Sequence, residues 1–277
     1  TAPKYLCPAM NTEMYNNLIT QRNLEGLRSL GYHIMDPAEG WLACGITGIG
    51  RLPEPEAIVD WLESKMCSTN ELEGTTILVT AGGTQESIDP VRYIGNRSSG
   101  KMGYAIAEQA ARMGAKVILV SAPTSLPIPS GVDFISVDSA VSMQEAVEAR
   151  YNDVNVVIMA AAVSDFRVLH KAEQKIKKME SMTIELVKNP DILQGLGSKK
   201  NHQILVGFAA ETEHVIKYGQ DKVARKNLDM LVANDVSKSN AGFNVDTNEG
   251  YFLYPDKEPK EMPNMKKSEL ARHILRE

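Results

Sequence analysis

The 277 residues are 43% hydrophobic and 23% charged, material for one large globular domain or a domain plus an appendage. A formal charge of -5 and a pI near 5.7 exclude a general attraction to nucleic acid or to an anionic membrane. The chain contains no run of about 18 apolar residues and no signal-peptide pattern, so a cytoplasmic protein acting on small molecules is expected.

In chain order, residues 1–66 come first. Apolar spacing predicts helices over 16–31 and 54–66, the second opened by Pro53 and Pro55 and presenting Ile58, Val59 and Leu62 on one face. The glycine-rich GWLACGITGIGR between them reads as a loop, and 67–74, polar and ending in Gly74, as a linker. From Thr75 the pattern changes to short β-branched runs alternating with amphipathic helices. TTILVTA is followed by a long loop and a helix, KMGYAIAEQAARMG; then come KVILVSA, VDFISV, a helix through SMQEAVEAR, and the runs NVVIMAA, MTIELV, QILVGFA and DMLVA. Near-continuous apolar strands predict a sheet covered on both faces, hence a doubly wound, mostly parallel, Rossmann-like α/β domain over 75–277. The tail PNMKKSELARHILRE reads as a terminal helix.

Cys7, Cys44 and Cys67 match no zinc spacing, and His33, His170, His202, His214 and His273 are scattered singly. A metal is expected only as a hard cation arriving with phosphates.

Parallel sheets bind ligands beyond the carboxyl ends of their strands, where this chain places its unusual loops. GNRSSGKM, 95–102, matches a P-loop up to Lys101, but Met102 replaces the hydroxyl that would bind magnesium, and the preceding strand ends some fifteen residues earlier. An NTPase loop is therefore disfavoured. Ser98 or Ser99 can cap the following helix, whose start suits an anion; a plain capped helix with a solvated Lys101 explains the residues equally well. AGGTQE lacks the glycine spacing of a dinucleotide fingerprint, yet Gly82 and Gly83, before Thr84, permit close backbone approach. The alanines of AAAVSDFR leave room for a flat base beside Asp165, a candidate hydroxyl or cation ligand or else an Asx turn. Lys171, Lys175, Lys177 and Lys178 form either a solvated run or a mobile cationic loop. KNPDI places Pro190 in the first turn of a helix. Lys222 and Lys226, four apart, share one helical face and could grip one anion.

Taken together, TAGGTQESIDPVRYIGNRSSGKMG, AAAVSDFR, KIKK, KNPDI, GFAAET, KVARKNLDMLVANDV and GFNVDTN resemble phosphopantothenoylcysteine synthetase, a coenzyme A pathway enzyme often fused behind phosphopantothenoylcysteine decarboxylase. The similarity covers about 75–255 in order. PAMNTEM and LACGITGIGRL resemble the tail of the decarboxylase, where the family's substrate-binding Asn and proton-donating Cys fall on Asn11 and Cys44. Its flavin-binding front half, with FMN and the catalytic His, would precede Thr1. The resemblance therefore implies that this chain does not decarboxylate.

The resemblance further implies a two-step ligation in which 4'-phosphopantothenate attacks the α-phosphate of CTP and the resulting acyl-cytidylate is taken by L-cysteine. Magnesium would bridge the phosphates, with Asp165 a candidate ligand. The nucleotide would fall against Met159, Ala160, Ala161, Asp165, Lys175, the Pro190, Asp191, Ile192 and Leu193 turn, Phe208, Lys222 and Lys226. Asn96, Arg92 and Lys175 are the catalytic candidates. Gly82, Gly83, Thr84 and the helix start at Ser98, Ser99, Gly100 and Lys101 would serve the acid substrate and its phosphate. The family is homodimeric, with a larger assembly when the full decarboxylase is present. Rival readings are a non-catalytic nucleotide-binding subunit and a nicotinamide-dependent dehydrogenase; the missing G-x-G-x-x-G argues against the second.

Overall fold

The computed structural model describes residues 2–66, 69–178, 180–211, 214–235 and 245–277, in two compact units, 1–68 and 69–277. Of the expected linker, 67–68 lie outside the described residues, whereas the Thr69 and Leu72 amides donate to the Arg112 and Met113 carbonyls of the second unit.

The first unit contains β1 (Lys4–Leu6), α1 (Thr12–Asn16), α2 (Leu18–Ser29), β2 (Tyr32–Ile34), β3 (Ala38–Trp41), β4 (Thr47–Arg51) and α3 (Pro55–Met66). The helix expected over 16–31 is α2, and the short α1 precedes it as a separate helix because two asparagines cap separate starts. Asn11 Oδ1 accepts from the Glu13 amide at 2.8 Å, and Asn17 Oδ1 from the Ile19 amide at 2.9 Å. The stretch expected as a glycine-rich loop is largely the β3–β4 hairpin. Its glycines serve close packing: a Cβ on Gly50, at φ +137°, would collide with the Met10 carbonyl oxygen.

The second unit runs β5 (Thr76–Ala81), β6 (Gln85–Ser87), β7 (Tyr93–Gly95), α4 (Lys101–Arg112), β8 (Lys116–Ser121), β9 (Val132–Ser136), α5 (Ala140–Glu148), β10 (Val156–Met159), β11 (Phe166–Val168), β12 (Leu186–Lys188), α6 (Ile192–Ser198), β13 (Ile204–Glu211), α7 (Val215–Lys226), β14 (Met230–Asp235), β15 (Thr247–Leu253), β16 (Lys260–Lys266) and α8 (Lys267–Arg276). One sheet has the order β16-β15-β14-β13-β10-β5-β8-β9, parallel from β14 through β9, as expected of a doubly wound domain. Alternate residues enter opposite cores. Leu78, Val157, Leu205 and Leu231 pack with Met143, Leu196 and Val223 of α5, α6 and α7. Ile77, Val79, Ile158 and Val206 pack with Ile106 and Ala110 of α4 and with Leu270 and Ile274 of α8. Each fully buried side chain of this kind contributes about 1.5–3 kcal/mol.

Three expectations are corrected. MTIELV supplies no strand of the large sheet; only Leu186–Lys188 is extended, pairing antiparallel with β11 outside it. The tail is not all helix, because 260–266 form the edge strand β16, whose Pro263 needs no inward partner there. Its neighbour β15 was not expected at all, and this antiparallel pair extends the sheet beyond its parallel strands.

The strand order reverses between β5 and β10, so a crevice opens beyond their carboxyl ends. Helix α4 reaches it by lying close on β5: a Cβ on Gly103 would come within 2.6 Å of Ala81 Cβ and 2.8 Å of the Thr80 carbonyl oxygen. Alanine improves helix propensity by about 1 kcal/mol, but overpacking costs about 1–3 kcal/mol. Gly103→Ala is therefore expected to destabilise the protein overall in urea denaturation; a more stable variant would show that α4 can lift off without cost.

Candidate active site

Two loops meet at the reversal point. The Ala162 amide donates to the Gly82 carbonyl at 2.8 Å, and the Thr84 amide donates to the Ala162 carbonyl at 3.2 Å. The same Ala162 oxygen accepts from Asn96 Nδ2 at 3.2 Å, and Thr84 Oγ1 accepts from the Ser164 amide at 2.9 Å. Gly82, Gly83 and Thr84, expected to serve the acid substrate, thus lie in this seam. Thr84 is fully buried. The close approaches of Gly82 and Gly83 are to the chain itself, at the Ala122 and Asn96 carbonyls.

On one side of this seam lies a cleft of about 360 Å³, which gathers Met159, Ala161, Asp165, Pro190, Asp191, Ile192, Leu193, Lys222 and Lys226 of the expected nucleotide set. Asp191, not Pro190, begins the helix: Pro190 stands before it, and Asp191 Oδ1 accepts the Gln194 amide at 3.0 Å. Lys226 Nζ lies 2.8 Å from the same carboxylate, so the expected lysine pair does not face a ligand unaccompanied. Burial opposes ionisation of Asp191, but the Lys226 hydrogen bond, the Gln194 amide and the charges of Lys226 and Arg225 outweigh it and hold the carboxyl below its ordinary range. Lys188, Asn189 and Arg225 also line this cleft and were not singled out in the sequence. Asn189 is buried; its Nδ2 donates to the Ser164 carbonyl at 2.8 Å, which closes the cleft floor.

On the other side is a smaller cavity of about 120 Å³, lined by Ser98, Ser99, Gly100, Lys101, the three alanines 160–162 and Phe208. Ala161 borders both spaces. Neither serine caps α4. The N-cap is Gly100 at φ 78°, where a Cβ would strike Thr124, and Ser98 Oγ accepts the Gly100 amide at 3.3 Å. Asn234, Asn248 and Lys267 complete this cavity. Asn248 lies on β15, a strand the sequence did not reveal, but it closes the GFNVDTN motif just as Asn234 sits in ANDV; Lys267 opens the expected terminal helix and carried no functional signal.

The remaining candidates lie elsewhere. Arg92 is engaged within the chain: its Nε donates to Asp89 Oδ2 at 3.0 Å and its Nη2 to the Ile176 carbonyl at 2.9 Å. Asp89 in turn accepts from the Ile176 amide at 3.1 Å, and the Ala172 amide donates to the Ile88 carbonyl. Thus 88–92 pin the lysine-rich loop, while Lys175 is exposed and lines neither space. In the first unit Asn11 Nδ2 donates to Cys44 Sγ at 3.1 Å, which joins the two decarboxylase-like candidates. Among the described residues no three His, Cys, Asp or Glu side chains form a metal cluster, and no helix is long and apolar enough to cross a membrane.

The Arg92 hydrogen bond holds the buried Asp89 carboxyl far below its ordinary range; burial opposes this and three backbone amides assist it. A folded pKa below the unfolded value means that the contribution is complete above about pH 4 and drains as pH falls through the folded value. Asp89→Asn is expected to melt at a lower temperature than the parent at neutral pH, with the gap narrowing toward acid, and to lose hydrogen-exchange protection at the Ile176 amide. An unchanged Ile176 amide would show that the loop is held by other contacts.

Residues 72–277 match the family described as DNA/pantothenate metabolism flavoprotein C-terminal domain, and residues 1–67 match the flavoprotein family. The coenzyme A biosynthesis bifunctional protein CoaBC of Bacillus subtilis (strain 168) is 47% identical over 281 residues, spanning 100% of this chain and 69% of that protein. Its Escherichia coli (strain K12) counterpart is 46% identical with the same coverage. The crystal structure of the C-terminal domain of a CoaBC protein superposes with a TM-score of 0.65 at 46% identity, covering 75% of this chain and 95% of that one. The DNA/pantothenate metabolism flavoprotein of Streptococcus pneumoniae, 23% identical with a TM-score of 0.63, shares the fold. With both parts matched in order and nearly half of the residues identical along its whole length, this chain belongs to the bifunctional coenzyme A biosynthesis protein family.

Proposed function

We propose that the second unit ligates 4'-phosphopantothenate to L-cysteine at the expense of CTP, by way of an acyl-cytidylate. Family membership supports a ligase of coenzyme A biosynthesis. The observation that carries the chemistry is the seam at Ala160–Ala162. A nucleoside-sized cleft and a helix-start cavity adjoin there, with the Asn96 amide on the dividing strand end.

In the first step a carboxylate oxygen of the acid bonds to the α-phosphorus, and the bond to the pyrophosphate oxygen breaks. In the second, the cysteine amine bonds to the acyl carbon, CMP leaves with the electron pair, and the amine proton passes to solvent. Alanines at the seam let a base and ribose lie against the backbone, and Phe208 offers a ring face beside them. Asn96 Nδ2, already a donor at this point, orients the acyl oxygen for attack and stabilises the charge that develops there. Lys175 serves the α-phosphate when its loop closes, and Asp89 and Arg92 position that loop rather than touching substrate. Magnesium would neutralise the phosphate oxygens; Asp165, an exposed carboxylate at the nucleotide cleft, suits a cation that keeps most of its shell from phosphate and water. The protein acts as a homodimer, and the exposed apolar residues Val91, Tyr93, Phe166 and Leu186 on the small ribbons support that assembly.

With magnesium and 4'-phosphopantothenate, pyrophosphate release is expected with CTP and not with ATP, and CMP plus a thiol-bearing amide only when cysteine is added. Binding of CTP without release under any of these conditions would instead identify a non-catalytic nucleotide-binding protein. Loss of a positioned oxyanion donor costs roughly 10²–10³ in rate, so Asn96→Asp should form product at least about a hundredfold more slowly. Product formation at the parent rate would remove Asn96 from the mechanism.

A further inference from the structure

Glu86, on β6, is only 3% exposed, yet among the described residues it has no ion pair. Its Oε1 accepts the Ala140 amide, at the start of α5, at 2.9 Å, and its second oxygen has no donor among the described residues. That oxygen is not sealed in the core, so it faces the cavity that Glu86 lines. A buried carboxylate requires a cation or several donors. One neutral amide leaves this one short of partners.

Two cations line the same cavity without closing on Glu86. The space, of about 180 Å³, lies between β6, the start of α5 and the end of β11. Arg167 uses Nη1 on the Lys188 carbonyl at 3.0 Å and on Asn189 Oδ1 at 3.1 Å, which leaves its Nε and Nη2 without acceptors among the described residues. Lys171, exposed at the rim, has no hydrogen bond or ion pair among them either. Asp138, the other carboxylate of the cavity, is engaged by Ser142 Oγ at 2.9 Å. Opposite charges free to move would gain by pairing directly. Here the α5 start holds Glu86 and the bonds to Lys188 and Asn189 hold Arg167, across a space larger than one water needs.

We infer that this cavity binds an α-amino acid as its zwitterion, the ammonium on Glu86 and the carboxylate on Arg167 and Lys171. An anion alone would leave Glu86 unpaired, and a cation alone would meet two like charges. Val141 and Val168 complete the wall beside Ser87 and Ser139, so a small side chain fits. The zwitterion has two sources, L-cysteine as the amine substrate of the ligation or another small amino acid as an effector. Only the first rests on the ligase reading; the site itself does not. Asn189 accepts from Arg167 and donates to the Ser164 carbonyl at the floor of the nucleotide cleft, so an occupant held by Arg167 sits one side chain away from that cleft.

The test is calorimetric titration of L-cysteine, L-alanine, acetate and methylammonium into the full chain without nucleotide. Both amino acids should bind at least about tenfold more tightly than either singly charged ion. Glu86→Gln keeps an acceptor for the Ala140 amide and removes the charge, and it should weaken amino-acid binding roughly tenfold or more. Lys171→Met, at an exposed position, should weaken it too and keep the parent melting temperature. Acetate binding as tight as that of alanine would overturn the zwitterion. No amino-acid binding by the parent, or undiminished binding by folded Glu86→Gln, would overturn the site. Should Glu86→Gln fail to fold, Lys171→Met must show the loss, or the site is refuted. In ligation assays, a KM for cysteine raised roughly tenfold in Glu86→Gln with kcat kept assigns the site to the substrate, whereas an unchanged KM beside weakened alanine binding assigns it to an effector. A protein that binds amino acids in a Glu86-dependent way yet never ligates would lose the ligase reading and keep the site.

Discussion

The hydrogen bonds that gather on Ala162 are the constraint from which the rest of the site follows. One residue's amide and carbonyl tie the loop after β10 to the loop after β5 and to Asn96. Parallel strands bring their carboxyl ends to one edge, but they leave the loops there without ladder partners, and buried backbone groups must be satisfied. Here the two central loops satisfy each other. The seam they make is a wall with a space on either side.

Around that wall the fold divides the work by rigidity. The groups that line the cleft and the cavity sit on packed elements: Asp191 at the start of α6, Lys226 on α7 and Gly100 at the start of α4. Lys175, to which the proposed mechanism gives a closing motion, sits on an exposed loop tied down near Ala172 and Ile176. Arg92, which by type alone suggests a ligand for phosphate, is consumed in that tie, because its partner Asp89 is buried and a buried carboxylate requires a cation.

The parallel core was legible because β-branched runs such as TILVTA and KVILVS have both faces covered and must be apolar throughout. The antiparallel pair was not, because Thr247–Leu253 and Lys260–Lys266 mix polar, glycine and proline residues, and the outer of the two is an edge strand, where such residues discourage further pairing. That gap hid the strand that carries Asn248, although the GFNVDTN motif ends on that residue. The residues that the family resemblance assigns to the nucleotide lie largely along one cleft, although GFAAET and the stretch after Asn234 fall partly outside the described residues. Partnerships were what the sequence concealed: nothing in KNPDI or KVARKN announces that Asp191 will meet Lys226, since the two are brought together only by the packing of α6 on α7.

That last contact has a consequence for selectivity among solutes. With Asp191 seated on Lys226, the cleft carries its own internal competitor, and any incoming anion must displace or share a carboxylate that is held in place as a helix cap. A chloride or acetate ion brings one charge and gains little by the exchange. A polyphosphate brings several, and Lys222 and Arg225 line the same cleft. The resting cleft is thereby shielded from the common salts of its surroundings, and its response to ionic strength should be flatter than that of an open pair of lysines.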